Sequence, residues 1–326
     1  MENLNWGIIG TGLIAHEMGA ALKAANAELY AVSGTSLAKA KQFQQELGVR
    51  KAYGSPQEML EDENLSIVYI ATPHNAHYEW IRKALLAGKH VFCEKSITVN
   101  SRQLEECVSI AEKKGLVICD GTTLLHMPLF KKLRQMIDDG AIGAVKMVQV
   151  NFGSCKEYDV TNRFFSKELA GGALLDIGVY AVSFARFFMK SKPNAVLTTA
   201  NYFETGVDET SGILLKNADG EMAVIALSMR AKQPKRGIVA GEKGFIEISD
   251  YPRAAKATVT YTEDGRTETV EAGRTEDALL YEVQDMQEYV RGRGGQENLG
   301  MVRDVMQTLT AVRSQWGLVY PSEQSF

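Results

Sequence analysis

The stretch Gly7-Ile8-Ile9-Gly10-Thr11-Gly12-Leu13-Ile14-Ala15 decides the fold. An apolar run from Trp6 to Gly10 reads as a short buried strand. Behind it, Leu13, Ile14, Met18, Ala21 and Leu22 form one apolar stripe at helical spacing, which predicts a helix over Leu13–Ala25. Between the two, Gly10, Gly12 and Ala15 fit the pattern G-x-G-x-x-A. Each position has a mechanical reason. Gly10 permits the tight turn from strand to helix, and Gly12 lets the backbone approach a pyrophosphate. Ala15 keeps the helix close to the sheet, and the helix N-terminus faces the anion. Thr11, Leu13 and Ile14 complete the candidate cradle. The same glycines could serve a plain turn in another doubly wound fold, and a lone match is weak. Its position, after a strand and at the head of an alternating domain, predicts dinucleotide binding.

The alternation continues outward from that loop. Apolar runs at Leu29–Val32, Ile67–Ala71, His90–Cys93 and Leu116–Cys119 read as further strands. Helical patterns lie between them at Leu37–Leu47, closed by Gly48, at His77–Leu86, and at Ser101–Lys114. Strands without polar alternation, separated by helices, predict a parallel sheet covered on both faces. The pattern then changes. After a helix near Phe130–Ile137, Val145–Asn151 alternates as a half-exposed strand, and a helix is expected from about Ala173 to Met189. From Ala195 to Glu271 the chain is strand-rich. Val207–Leu215, Met222–Met229, Gly237–Gly241, Phe245–Ile248 and Ala257–Tyr261 are the candidates, with Asp-Gly turns at 219–220 and 264–265 that imply mostly antiparallel pairing. Helices near Leu280–Arg291 and Met301–Trp316 close the sequence. The expectation is an α/β Rossmann domain, residues 1–121, with a doubly wound parallel sheet. An α+β domain for substrate binding and oligomerisation, residues 122–326, follows, with a large, mostly antiparallel sheet.

Composition narrows the function. At about 150 residues per domain, 326 residues suit two domains. The 36 basic and 40 acidic side chains leave a net charge of −4, without the basic excess of a nucleic-acid binder. No run of about 20 apolar residues suggests a membrane span. The start Met1-Glu2-Asn3-Leu4-Asn5 is no cationic leader, so a cytoplasmic protein is expected. The four cysteines, Cys93, Cys107, Cys119 and Cys155, form no C-x-x-C pair. His74 and His77, three apart, have no ligand cluster around them, and no metal is expected.

The choice of dinucleotide turns on the end of the second strand. An NAD site usually places an acidic residue there to bind the ribose 2′-hydroxyl. Here the chain runs Ser33-Gly34-Thr35-Ser36, with Lys39 following. Neutral and basic groups suit a 2′-phosphate, which favours NADP over NAD; the plainer reading is a solvated turn and helix cap. Two further segments can carry chemistry. Glu94-Lys95 stands at the carboxyl end of a strand, where open α/β sheets bind ligands. In Gly171-Gly172-Ala173-Leu174-Leu175-Asp176-Ile177-Gly178-Val179-Tyr180, Asp176 and Tyr180 are four apart on an otherwise apolar predicted helix. A carboxylate in such company needs a partner. A structural Asp and Tyr bonded to backbone would satisfy the same pattern.

Together, the glycine loop, Ala71-Thr72-Pro73 followed by His77, Glu94-Lys95 and GGALLDIGVY resemble the Gfo/Idh/MocA oxidoreductase family over nearly the whole chain. The similarity is greatest to the branch of dimeric dihydrodiol dehydrogenases and NADP-dependent D-xylose dehydrogenases. The resemblance implies a Rossmann domain and a C-terminal sheet whose open face makes a homodimer or higher homo-oligomer in many relatives. It places Thr72, Pro73, His77, Glu94 and Lys95 along the cofactor, makes Lys95 the catalytic lysine, and makes Asp176 the characteristic helix aspartate. Tyr180 stands where most members have histidine. The implied chemistry is hydride transfer between nicotinamide and a small polyhydroxylated substrate: a sugar, polyol or cyclic trans-dihydrodiol. Tyr180 would be the acid/base, Lys95 would lower its pKa, and Asp176 would orient the substrate hydroxyl or Lys95. Arg163 is a weaker candidate for substrate contact. His126, Phe152, Tyr158 and Phe164 could line the pocket. Ser96 stands where the family usually has proline. A cis bond before a non-proline residue costs about 2.5–4 kcal/mol, so a trans peptide is expected after Lys95. The alternative is a non-catalytic NAD(P)-binding regulatory or scaffold protein, which would need only the first domain's loop. Retention of Glu94, Lys95, Asp176 and Tyr180 argues against it. A weaker reading is another redox chemistry on this fold, such as NAD-assisted glycoside cleavage or imine reduction.

Overall fold

The computed structural model describes residues 4–323. The chain divides into two compact units. The first holds the chain up to Thr98, with Arg102–Gly121 and Leu279–Leu299. The second holds Val99–Ser101, Thr122–Ala278 and the chain from Gly300 onward.

In the first unit, β1 (Asn5–Ile9), α1 (Leu13–Ala24), β2 (Glu28–Ser33), α2 (Leu37–Leu47), β3 (Lys51–Tyr53) and α3 (Pro56–Leu60) are followed by β4 (Ile67–Ile70), α4 (His74–Leu86), β5 (His90–Cys93), α5 (Ser101–Lys114) and β6 (Ile118–Asp120). The six strands pair in parallel in the order β3-β2-β1-β4-β5-β6. The order reverses between β1 and β4, and that switch point opens a crevice beyond the strand carboxyl ends. Local chemistry explains the element ends. The Ser36 hydroxyl accepts from the Lys39 amide at 3.4 Å and starts α2; Gly48, at φ 67°, ends it in the left-handed cap. All four residues of β4 are buried, as a strand covered on both faces requires. Trp6, Tyr69 and Phe92 anchor the core, with Tyr69 stacked on Phe92 at 5.6 Å between centroids. Two elements, β3 and α3, have no counterpart in the sequence reading: they are three and five residues long, too short for a period to show.

The second unit contains α6 (Pro128–Asp138), β7 (Val145–Gly153), a π turn (Leu174–Gly178), α7 (Val179–Phe188) and β8 (Pro193–Tyr202). Then come β9 (Asp208–Asn217), β10 (Met222–Ser228), β11 (Gln233–Gly241), β12 (Gly244–Ser249), β13 (Lys256–Tyr261) and β14 (Thr267–Glu271). Eight strands form one sheet in the order β14-β13-β12-β11-β7-β10-β9-β8, with every pair antiparallel except β7–β10. α7 covers one face of it, packing on β7 and β10. Phe184 and Phe188 of α7 meet Phe130 of α6, and the Phe184 ring fills the space where Gly237 lacks a side chain. Elsewhere on the sheet, Leu197, Tyr202 and Val224 are exposed.

Two further helices follow, α8 (Ala278–Val290) and α9 (Gln296–Trp316). Leu279, Val283 and Met286 of α8 are buried in the same cluster as Trp6, Tyr69 and Phe92. The chain therefore leaves the first unit at Gly121 and returns to it at Leu279. A two-part division at residue 121 omits this return, which has no local signal: an amphipathic helix reads the same whichever core it covers. Among the described residues, no helix is long and apolar enough to cross a membrane.

Candidate active site

A cleft of about 430 Å³ opens beyond β1, β2 and β4 in the first unit. Gly10, Thr11, Gly12, Thr35, Lys39, Ala71, Thr72 and Pro73 line it, together with His16, Gln42, Phe43 and Glu46. Gly10 has φ +122°, and a Cβ there would lie 2.5 Å from the Ala71 carbonyl oxygen, so only glycine makes this turn. Gly12 caps α1 without a side-chain hydrogen bond, and a Cβ on it would meet nothing within 4 Å. The space beside Gly12 at the start of α1 is therefore open, and the first turn of the helix carries no acid. That is a fitting cradle for a pyrophosphate. Leu13, at the first helical position, is 80% exposed beside it, and Ile14 is half-buried.

The residues beyond β2 behave differently from one another. Thr35 and Lys39 line the cleft, and the Lys39 ammonium makes no ion pair among the described residues. Ser36 spends its hydroxyl on the α2 cap. Ser33 is fully buried, and the structure does not bring it into the cleft. His16 and Glu46 were not singled out from sequence. Their contact spans 2.9 Å, and His16 Nδ1 lies 2.9 Å from the Gly12 carbonyl oxygen. The Gly12 carbonyl, and then Glu46, hold the His16 imidazole above its ordinary pKa.

At the end of β5, the Tyr69 hydroxyl donates to the Glu94 carboxylate. Burial raises the Glu94 pKa, and the Tyr69 bond opposes that rise. Lys95 is half-buried. The peptide between Lys95 and Ser96 is cis, which corrects the expected trans bond. Two histidines of α4 hold this segment from one side. His74 Nε2 is 3.2 Å from the Lys95 carbonyl oxygen, and His77 Nδ1 is 2.8 Å from that of Ser96. His77 Nε2 lies 2.8 Å from the Thr72 carbonyl oxygen. With no exposed surface, the His77 ring is a tie between the loops after β4 and β5 and does not line the cleft.

The second unit gathers the other candidates. Asp176 is 6% exposed on the π turn, and Arg163 Nη2 lies 3.9 Å from its Oδ1. The guanidinium stacks over the Phe164 ring at 4.1 Å. Tyr180 opens α7 half-buried, its ring 6.2 Å from that of Phe152, over which Lys235 Nζ stands at 5.2 Å. The π turn replaces the first turn of the α-helix expected from Ala173, so the hydrogen-bonding step there is i to i+5. Lys235 had no sequence signal: its place beside Phe152 follows from strand pairing between β11 and β7. Of the other pocket candidates, Tyr158 stacks on Phe203, and His126 is buried.

The chain matches an oxidoreductase family with an NAD-binding Rossmann fold over residues 4–122. It matches the GFO/IDH/MocA C-terminal domain over residues 130–247. It is 35% identical over 250 residues to the trans-1,2-dihydrobenzene-1,2-diol dehydrogenase of Xenopus laevis, covering 76% of this chain and 75% of that one. The corresponding Homo sapiens enzyme is 32% identical, over 75% and 74% of the two chains. Among solved structures, a levoglucosan dehydrogenase in complex with NADH and levoglucosan superposes with a TM-score of 0.89 at 19% identity, covering 97% and 98%. A 3-ketoreductase from Actinomadura kijaniata, in complex with NADP and TDP-benzene, gives 0.85 at 24%, covering 96% and 98%. At those identities the superpositions speak for the fold.

Proposed function

The chain belongs to the Gfo/Idh/MocA oxidoreductase family, and on that premise we propose that it is an NADP-preferring dehydrogenase of small polyhydroxylated substrates. It is an NAD(P)-dependent oxidoreductase acting on CH–OH groups, like the relatives it matches. The substrate class is a sugar, polyol or cyclic trans-dihydrodiol. The observation that carries this reading is the cluster on the π turn: a nearly buried carboxylate, Asp176, an arginine beside it, and a half-buried phenol, Tyr180, opening α7.

Each residue has one task. The α1 amides at Gly12, with Gly10 making room, bind the dinucleotide pyrophosphate, and Thr11, Thr72 and Pro73 flank it. Thr35 and Lys39 receive the 2′-phosphate, which supports NADP over NAD. When bound, the nicotinamide exchanges a hydride with the carbinol carbon of the substrate. Tyr180 Oη takes up or returns the hydroxyl proton. A free tyrosine, with a pKa near 10, is a poor base at neutral pH, and the Lys95 ammonium is the cation assigned to lower it. Asp176 Oδ1 orients the substrate hydroxyl, and Arg163 donates to a neighbouring one. Glu94, held by Tyr69, fixes the loop that carries Lys95. The exposed Leu197, Tyr202 and Val224 support a homodimer built on the large sheet. Four free thiols, three of them buried, suit a reducing compartment such as the cytoplasm.

The test is reduction of NADP and of NAD, followed by absorbance, with pooled aldoses, polyols and cyclic trans-diols, and with Tyr180→Phe alongside. Turnover with NADP that disappears in the variant supports the reading. Equal turnover in the variant removes Tyr180 from the chemistry.

A further inference from the structure

Asp208 opens β9 with no exposed surface. Its Oδ2 accepts the Leu174 amide hydrogen at 2.7 Å, and its Oδ1 has no hydrogen-bond partner. Leu174 is the first residue of the π turn that carries Asp176. The backbone arrives there through Gly171 and Gly172, held on both sides. Their amides donate to the carbonyls of Ser166 and Phe164 at 2.9 Å each, and the Tyr320 hydroxyl donates to the Gly171 carbonyl at 2.7 Å. Opposite, a Cβ on Gly172, whose φ is +108°, would stand 2.2 Å from Asp208 Oδ1. No side chain fits between this carboxylate and the glycine pair.

An ionised carboxylate buried with one short hydrogen bond, from the Leu174 amide, lesser help from the amides of Asp208 and Ala173, and no contacting cation is costly. Arg313 faces it from α9, but that guanidinium is committed to Glu323 and to the carbonyls of Val99 and Leu318. The charge must be retained for what it holds. We infer that Asp208 is a positioning residue for the reaction: its ionised carboxylate pins the Leu174 amide and so fixes the π turn that presents Asp176 and Tyr180. The inference rests on the assignment of those two side chains to the site. A charge-assisted bond is roughly twice as strong as a neutral one, so protonation loosens the pin without removing the acceptor.

Burial pushes the Asp208 carboxyl up to about 6, against the pull of the Leu174 amide. The other ionisable groups facing it are Arg313, Tyr320 and, from β8, Tyr202. Burial raises both tyrosines above their ordinary range, and arginine stays charged, so Asp208 is the member of this set that titrates near pH 6. The sign follows. Its folded pKa lies above the unfolded value of 3.8, so its stabilising contribution is complete below that value and is lost as pH rises through about 6. Turnover gains over the same window in which stability falls, and a merely structural role would not produce that opposition.

The experiment compares wild type, Asp208→Asn and Tyr180→Phe between pH 5 and 8, with NADP and trans-1,2-dihydrobenzene-1,2-diol. Wild-type kcat is expected to rise about tenfold through pH 6, as misplacement of a catalytic turn is relieved. Asp208→Asn should lose that limb, with kcat at pH 8 about tenfold below wild type and KM little changed. Its Tm should improve relative to wild type as pH rises. An unchanged kcat and acidic limb in Asp208→Asn, with Tyr180→Phe inactive, overturns the inference alone. A fully active Tyr180→Phe overturns the site assignment and this inference with it. Amide exchange at Leu174 in the wild-type protein decides without turnover and without a foldable variant. Protection, corrected for intrinsic rate, should increase as pH rises through 6, and a flat profile overturns the inference.

Discussion

The guanidinium of Arg163 lies 3.9 Å from the carboxylate of Asp176, with the arginine side chain 45% exposed and the aspartate side chain 8%. The separation is too long for a bidentate pair, so Arg163 keeps donors free for a ligand while stacked on Phe164. Arg163→Gln is therefore expected to act on binding. KM for the polyol should rise about tenfold with kcat within a factor of about two, the pattern of a contact made equally in ground and transition states. Steady-state kinetics at saturating NADP check it. A kcat loss at constant KM would move Arg163 into the chemical step.

Tyr180→Phe and Lys95→Ala carry the opposite expectation. Loss of a positioned acid/base, or of the cation that brings its pKa into range, lowers kcat by about 10²–10⁴-fold. Neither side chain is part of the Gly10–Gly12 cradle, so both variants should quench or enhance NADPH fluorescence with near wild-type affinity. Turnover near wild type in either variant would remove that residue from the mechanism.

The parts of this molecule that were legible in its sequence are those whose cause is local. α2 spans Leu37–Leu47 and stops at Gly48 as its local pattern predicts, because a cap is chemistry between residues three or four apart, and Ser36, expected at the cofactor, caps it instead. β5 is, after His90, a run of buried apolar residues, visible as such. β8 was lost within a strand-rich region because its alternation mixes exposed Leu197 and Tyr202 with half-buried neighbours. β14 was lost because it is a short, charged edge strand. In the site, Gly10, Gly12 and Lys39 were readable from position after a strand. The burial of Ser33 and the tie made by His77 to the carbonyls of Thr72 and Ser96 depend on packing between loops, which no spacing encodes. The π turn at Leu174–Gly178 is set by Asp208, some thirty residues away in sequence, and so read as ordinary helix.

The two glycines of the cradle make a paired prediction. At Gly10 an alanine meets both a positive φ and the Ala71 carbonyl, so Gly10→Ala should lose stability by about 1–3 kcal/mol or more, with a lower Tm in the absence of dinucleotide. At Gly12 a methyl group meets nothing within 4 Å, and φ is −83°, so Gly12→Ala should fold with a Tm near wild type. Its methyl would occupy the space a pyrophosphate needs, and NADP affinity should fall about tenfold or more, since each tenfold corresponds to 1.4 kcal/mol. Calorimetric melting and fluorescence titration separate the two. A Gly12→Ala variant that binds NADP normally would mean that the anion lies elsewhere.

On the proposed reading, Lys39 chooses the coenzyme. It lines the cleft from the first turn of α2, just after the strand end where an NAD enzyme usually keeps an acid, and its ammonium makes no ion pair among the described residues. A 2′-phosphate there gains a charge-assisted contact that a 2′-hydroxyl cannot exploit. Lys39→Ala should therefore weaken NADP binding by about tenfold while leaving NAD binding within about twofold, because only one ligand carries the phosphate. The effect on NADP should shrink as ionic strength rises, since the contact is exposed and screened. Titrations of both coenzymes at low and high salt test it. Equal losses for the two would place Lys39 on the shared part of the dinucleotide, and no loss for either would leave Thr35 and the backbone beyond β2 to choose between them.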